Sequence, residues 1–211
     1  MIGRRNLVRF GVALCLAPMP LFAQSLPAAT HDPMQPIADL NAGLLRVMHS
    51  GKATPFGERV LILTPIVLHA FDLAAILQNS VGPARWSTLP DAEKTELMDV
   101  FTRFTVDSYV ANFNTYDGEK FAIAPDLRHV GSEVVVQTKI VPTSGDPTKM
   151  DYVMRDSDSG WRAVDILLDG SISRVAVTRS DFRALLAQGG ASHLIESLRS
   201  KAIGLESGIA P

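Results

Sequence analysis

The segment from Glu133 to Leu168 constrains the fold most, because apolar and polar residues alternate along it in successive short runs. Such alternation is typical of half-buried strands, in which every second side chain faces the core. Clusters of Gly, Ser, Asp and Pro separate the runs and favour tight reversals of the chain. The segment therefore predicts adjacent antiparallel strands. The residues expected to face inward are Val134, Val136, Thr138, Ile140, Met150, Tyr152 and Met154.

Helical periodicity flanks this segment on both sides. Upstream, the longest apolar stripe runs from Leu97 to Ser108 and predicts a long helix that ends near Phe113. An earlier helix is expected to be interrupted at Pro65, since proline cannot donate to the helical ladder. Downstream, helices are predicted over residues 180–187 and 191–202, with two glycines between them.

The order of these elements predicts the fold class. Residues 121–123 form a short predicted strand, whereas residues 172–178 are rich in Val and Ile and allow either a strand or the start of a helix. Helices, then adjacent strands, then helices indicate an α+β fold with an antiparallel sheet. We expect one domain over residues 32–203, followed by a flexible tail over residues 204–211.

The first residues of the chain indicate export. Arg4, Arg5 and Arg9 precede an apolar run that ends near Ala23, as in a cleaved signal peptide. Residues 1–23 are therefore predicted to be the signal peptide and residues 24–31 a linker. Cleavage near residues 28–29 is an alternative, and the export route, Sec or twin-arginine, stays open. Cleavage would remove three of the 20 basic residues and none of the 22 acidic ones, leaving a net charge of −5. A mildly acidic, exported chain is not expected to bind nucleic acid.

The residues that carry enzymatic chemistry show no recognisable arrangement. The single cysteine, Cys15, lies in the predicted signal peptide, so the mature chain cannot build a zinc or iron–sulfur site on cysteine. The five histidines lack metal-ligand spacing, and the chain has neither a G-x-S-x-G elbow nor a glycine-rich phosphate loop. We expect no catalytic activity, no cofactor and no metal.

Several segments resemble one known family in their order and spacing. G-W-R-A-V-D-I-L-L-D-G-S-I-S and the two segments that follow it resemble the closing signature of the MlaC/toluene-tolerance family of periplasmic lipid carriers. The segments that carry the resemblance are Gly160–Ser173, Arg179–Leu186 and Gly189–Leu198, with Pro65–Leu73 and Phe101–Phe121 upstream. The likeness spans about Asp39 to Lys201, and A-F-D-L and F-N-T-Y-D-G-E-K-F lean toward the hopanoid-associated branch, HpnM.

The resemblance implies both a fold and a function. The implied fold is a cone similar to that of nuclear transport factors, with a curved sheet packed against helices around an apolar cavity. The implied function is to shield phospholipid or hopanoid tails and to shuttle the lipid through the periplasm. The implied partners are an inner-membrane transporter of the MCE/ABC or RND type and an outer-membrane lipoprotein complex.

Carrying a lipid through water requires a deep apolar cavity. Two sixteen-carbon tails contain about 30 methylenes, and exposing them costs on the order of 24 kcal/mol. The alternative is that the same apolar side chains simply fill a solid core, as such stripes commonly do. On the lipid-carrier hypothesis, the predicted lining residues are Leu97, Phe101, Phe104, Tyr109, Val134, Val136, Ile140, Met150, Tyr152 and Met154.

Two other functions stay open from the sequence. Cone folds of this kind host small-molecule isomerases that use an acid and a tyrosine in an apolar pocket, and Asp107, Tyr109 and Asp165 are the candidates here. Asp165 interrupts an apolar strand, so it needs a partner, for which Arg179 or Arg174 is expected. The remaining possibility is a hydrolase on the same fold or a non-catalytic structural protein of the periplasm.

Overall fold

Six α-helices and five strands make up residues 32–208, which are the residues that this computed structural model describes. The helices are α1 Gln35–Ser50, α2 Phe56–Ala70, α3 Leu73–Val81, α4 Pro83–Thr88, α5 Asp91–Asn112 and α6 Arg174–Glu206, with a short 3-10 turn at Gly51–Ala53. The strands are β1 Lys120–Val130, β2 Glu133–Val141, β3 Thr148–Arg155, β4 Arg162–Leu168 and β5 Ile172–Ser173. The predicted signal peptide and linker lie outside the described residues. The predicted α+β class is confirmed.

The strands form one curved antiparallel sheet in the order β1-β2-β3-β4-β5, so each strand pairs with its neighbour in sequence. The predicted strand over residues 121–123 is the start of β1, which continues to Val130. Its register shifts between Ile123 and Leu127, around Pro125. Proline cannot donate to a sheet ladder and is tolerated at bulges in edge strands. This bulge explains why the sequence shows no clean alternation there.

Helix α2 differs from the prediction at Pro65, and helix α6 begins within the segment that the sequence left ambiguous. Helix α2 continues through Pro65, which leaves the Leu61 carbonyl without its helical donor; Leu61 is 75% exposed, so water can bond that carbonyl. Helix α6 begins at Arg174, where the Ser173 side chain accepts a hydrogen bond from the Ala176 amide at 3.0 Å. A serine at the N-cap satisfies an amide that the helix itself cannot. The ambiguous segment 172–178 is therefore a two-residue strand followed by the start of a helix.

Helix α6 is two helical segments joined at Gly189 and Gly190, whose backbones are not helical. The φ of Gly190 is +69°, a conformation that glycine adopts without the steric penalty of a Cβ. The second segment runs parallel to α5, since Arg199 pairs with Glu96 at 2.7 Å and Arg103 with Glu206 at 3.0 Å. This segment reaches Glu206, beyond the predicted domain boundary at residue 203.

The core lies between the helices and the inner face of the sheet. Val136, Tyr152 and Met154 of the sheet belong there to the same buried cluster as Leu97 of α5 and Leu194 of α6. The exposed edge of β4 is partly closed by the α2–α3 junction, whose Asp72 amide donates to the Ala163 carbonyl at 2.9 Å. None of the described helices carries an apolar stretch of the length needed to cross a bilayer.

Candidate functional site

A partly enclosed cavity of about 270 Å³ lies between the inner face of the sheet and helices α3, α5 and α6. Helix α5 supplies most of one wall, because its residues at successive three- and four-residue steps share a face. Strands β3 and β4 supply the opposite wall, and the first two turns of α6 also line the cavity. The lining residues are Phe71, Leu73, Ile76, Phe101, Phe104, Thr105, Ser108, Tyr109, Asn112, Phe113, Met150, Asp165, Ile166, Leu168, Arg174, Val175 and Thr178.

A chain of aromatic rings runs along the cavity wall and into the core behind it. Phe71 at the α2–α3 junction lies 5.7 Å from the Tyr109 ring and 6.0 Å from the Tyr152 ring, measured between centroids. Tyr109 in turn stacks on Phe113 at 6.0 Å. Rings at these separations attract one another beyond the effect of burial alone. The wall therefore presents packed, apolar ring surface to the cavity.

Two buried tyrosines, Tyr109 on the cavity wall and Tyr152 behind it, are held neutral. Burial raises the pKa of the Tyr152 phenol, whose hydroxyl donates to the Met150 sulfur at 3.3 Å. Burial also raises the pKa of Tyr109 well above its usual range, the nearby Tyr152 phenol raises it further, and the Arg174 charge partly offsets both. Neither phenol ionises at physiological pH, so this aromatic part of the wall is uncharged and suits an alkyl chain better than an ionic reactant.

Asp165 holds the start of α6 in place, and its predicted partners were wrong. Its carboxylate accepts hydrogen bonds from the Ile166 amide at 2.7 Å, the Val175 amide at 3.0 Å and the Ser173 hydroxyl. Arg179 instead donates to the Asn79 carbonyl at 2.7 Å. The reversal through β5 brings the Val175 amide of α6 onto Asp165, and a carboxylate at a helix N-terminus is stabilised there without an arginine.

The predicted lining residues divide into two groups. Phe101, Phe104, Tyr109 and Met150 lie on the cavity wall. A second group is buried in the surrounding core and does not reach the wall: Leu97, Val134, Val136, Tyr152 and Met154. Ile140 is half-buried, pairs with Phe121 and Thr148, and also lies away from the wall. Lipid contact by any of these residues stays a prediction.

The cavity includes residues that the sequence did not single out as lining it. Phe71, Ile166 and Val175 come from three separate elements, and only the fold brings them together. Ser108 and Asn112 continue the Phe101–Phe104 face of α5 at helical spacing, which is a signal that could have identified them.

Only two of the three residues of the isomerase hypothesis line the cavity. Asp107 faces Arg103, whose Nε lies 3.4 Å from its carboxylate, and does not line the cavity. Tyr109 and Asp165 do line it, but Asp165 is engaged by the hydrogen bonds at the start of α6. Within residues 32–208 no group of three or more His, Cys, Asp and Glu side chains could hold a metal ion.

Comparison with known proteins identifies the family. The sequence model of the MlaC protein family matches residues 39–200. The chain belongs to the MlaC family. Among solved structures, this MlaC-family protein is similar to the phospholipid-binding protein from Ralstonia solanacearum, determined in complex with a phospholipid. The two share 18% sequence identity with a TM-score of 0.71, and the match covers 82% of this chain and 98% of the other.

At this identity the structural likeness establishes the fold and not the ligand. A search of curated protein sequences finds no match. The match to the family as a whole does not distinguish the hopanoid-associated branch, so that assignment stays a prediction.

Proposed function

We propose that this MlaC-family protein is a lipid carrier that encloses acyl or hopanoid tails in the cavity between α5, the sheet and α6. The observation that carries the proposal is the cavity itself, whose walls are largely aromatic and aliphatic. Exposing the roughly 30 methylenes of two tails to water costs about 24 kcal/mol of free energy, and burial removes that cost. A shallow groove could not bury so many methylenes. The family match and the phospholipid bound by the Ralstonia protein support the same function.

The cavity must widen to take two tails. Its volume of about 270 Å³ is below the ~300–1,000 Å³ of pockets that hold drug-sized ligands, and a two-tailed lipid is larger than those. The first segment of α6 is the wall best suited to move, since Gly189 and Gly190 separate it from the segment that two salt bridges tie to α5. On this proposal, loading displaces residues 176–188 away from α5, while Asp165 keeps the Val175 amide at the start of α6 in place.

The proposed place of action is the periplasm, after removal of residues 1–23. The basic and apolar pattern at the start of the chain supports export. The carrier would receive lipid from, or deliver it to, an inner-membrane transporter of the MCE/ABC or RND type and an outer-membrane lipoprotein complex. A mildly acidic mature chain suits diffusion between two anionic bilayers without adsorbing to either.

A transfer assay between vesicles tests the carrier function. Donor vesicles contain a fluorescent phospholipid together with a quencher, and acceptor vesicles contain neither. The purified protein is expected to raise fluorescence in proportion to its concentration, and a matched assay with a labelled hopanoid identifies the preferred lipid. Transfer of neither lipid above the protein-free rate would contradict the proposal.

A further inference from the structure

We propose that the Met150 thioether is a modification site, at which a peroxide forms methionine sulfoxide when the cavity is empty but not when it holds lipid. The inference rests on the proposed carrier function and adds a chemical means of regulating it. Methionine is oxidised where a small oxidant can reach its sulfur, and sulfoxide reductases reverse the change. The reactivity of Met150 therefore depends on what occupies the cavity.

Met150 differs in position from the other methionines within residues 32–208. It is half-buried and lines the cavity, whereas the other four do not line it. Met48 and Met154 are buried in the core, at 5% and 0% exposure. Met34 and Met98 are half-buried and pack against the core elsewhere. An alkyl chain in the cavity therefore covers Met150 directly and no other described methionine.

A hydrogen bond fixes the position of the Met150 sulfur. The Tyr152 hydroxyl donates to Sδ at 3.3 Å, which is its only hydrogen bond within residues 32–208. The Tyr152 side chain is 2% exposed and does not line the cavity, so its hydroxyl reaches the sulfur from behind the wall. A thioether sulfur has two lone pairs. The phenol engages one of them, and the other is left on the cavity side.

The reaction with hydrogen peroxide is a two-electron oxygen transfer. The free lone pair of the Met150 sulfur attacks one peroxide oxygen, an S–O bond forms and the O–O bond breaks. The proton on the transferred oxygen passes to the departing hydroxide, which leaves as water, so the sulfur is oxidised and the peroxide is reduced. Because the oxygen is added on the cavity side, one of the two sulfoxide epimers is expected to predominate.

The product changes the wall at the place where a lipid tail lies. A sulfoxide is polar, and an alkyl chain offers it no hydrogen bond to replace those of water. The Tyr152 hydroxyl lies on the opposite side of the sulfur and does not serve the new oxygen. Bound lipid therefore leaves that oxygen without a partner, so the oxidised carrier binds lipid more weakly. An empty carrier that meets peroxide stays empty until the sulfoxide is reduced.

Oxidation of empty and loaded protein tests the site. Purified protein is stripped of lipid, reloaded or not with dipalmitoyl phosphatidylglycerol, treated with hydrogen peroxide and digested for peptide mass spectrometry. Met150 sulfoxide is expected to form roughly tenfold faster in the empty protein, since oxidation follows the exposure of the sulfur. Met98 is the internal control and should oxidise at the same rate in both forms. Equal rates for Met150 would overturn the proposal, whereas failure to take up lipid before treatment would contradict the carrier function itself.

Lipid binding before and after oxidation tests the consequence. The dissociation constant of wild-type protein should rise about ten- to a hundredfold on treatment, the range for an unpaired polar group. Met150→Leu lacks the thioether, so treatment should not change its dissociation constant, whatever the starting value. Met98→Leu is the matched control and should show the wild-type rise, with circular dichroism confirming that the variants are folded. Unchanged binding by oxidised wild type, or an equal rise in Met150→Leu, would overturn the proposal.

The stereochemistry of the product tests the geometry at the sulfur. Methionine sulfoxide reductases of the A and B types each reduce one epimer. After oxidation of the folded wild-type protein and digestion, one type is expected to reduce nearly all of the Met150 sulfoxide and the other hardly any. Tyr152→Phe keeps the ring but frees the second lone pair, so each type should reduce part of its sulfoxide. Equal amounts of the two epimers in wild type would overturn the arrangement assigned to Met150 and Tyr152.

Discussion

Replacing Phe104 by Asp tests whether the α5 wall of the cavity holds the lipid tails. Phe104 is half-buried and lines the cavity, and the sequence alone already pointed to it. A carboxylate at this position faces the space that the tails occupy. Water can enter the empty cavity and solvate the charge, whereas a bound alkyl chain would exclude that water. The substitution should therefore weaken lipid binding far more than it weakens the fold.

The magnitudes support that separation. Removing a half-buried phenylalanine side chain lowers the free energy of unfolding by about 1–1.5 kcal/mol. Placing aspartate in a helix interior lowers it by about 0.7 kcal/mol more. The sum is well below the ~5–15 kcal/mol by which typical domains are stable. Removing water from a carboxylate costs several kcal/mol. If bound lipid imposes a cost of about 4 kcal/mol, the lipid affinity falls by roughly three orders of magnitude.

Lipid content per mole of folded protein is the measurement. Purified Phe104→Asp protein is expected to show native circular dichroism and an organic extract with almost no lipid. Leu97→Ala is the matched control, because Leu97 is fully buried in the core and does not line the cavity. It should lose about 2–5 kcal/mol of stability yet retain lipid. Wild-type lipid content in folded Phe104→Asp would refute this view of the cavity.

Three further substitutions test the electrostatics and the backbone. Burial raises the pKa of Asp107, so the free energy of unfolding should fall as the pH rises from the ordinary carboxyl range through the raised pKa. The melting temperature of Asp107→Asn should therefore exceed that of the wild type at pH 7 and equal it near pH 3. Asp165→Ala should lower stability to urea by about 2–3 kcal/mol, and an unchanged midpoint would contradict its role at the start of α6. Gly190→Ala should lower the free energy of unfolding by about 1–3 kcal/mol in the same assay. Gly57→Ala should not lower it, because a Cβ added at Gly57 in α2 would meet open space.

The fold class was predictable because two periodicities are strong in this chain. Alternation through β2 and β3 and the apolar stripe of α5 each identify an element and its buried face. The full length of β1 was not predictable, because Pro125 and the charged residues beside it interrupt the alternation. The start of α6 was also not predictable, since residues 172–178 suit either structure and tertiary contacts with Asp165 decide between them.

The candidate site was predictable only in part, because periodicity gives the face of a residue and not its depth. Val136 faces inward as predicted, yet it is fully buried in packed core and not on the cavity wall. An aspartate at this position should therefore unfold the protein and not merely release lipid. The void depends on Phe71, Ile166 and Arg174, which lie far apart in sequence and meet only through the sheet.

Native mass spectrometry of the purified protein tests the central claim most directly, since it counts molecules bound to each folded chain. The account predicts a complex with one lipid molecule bound to each folded chain. A spectrum of folded protein that shows only the mass of the bare chain, even after incubation with phospholipid vesicles, would contradict it.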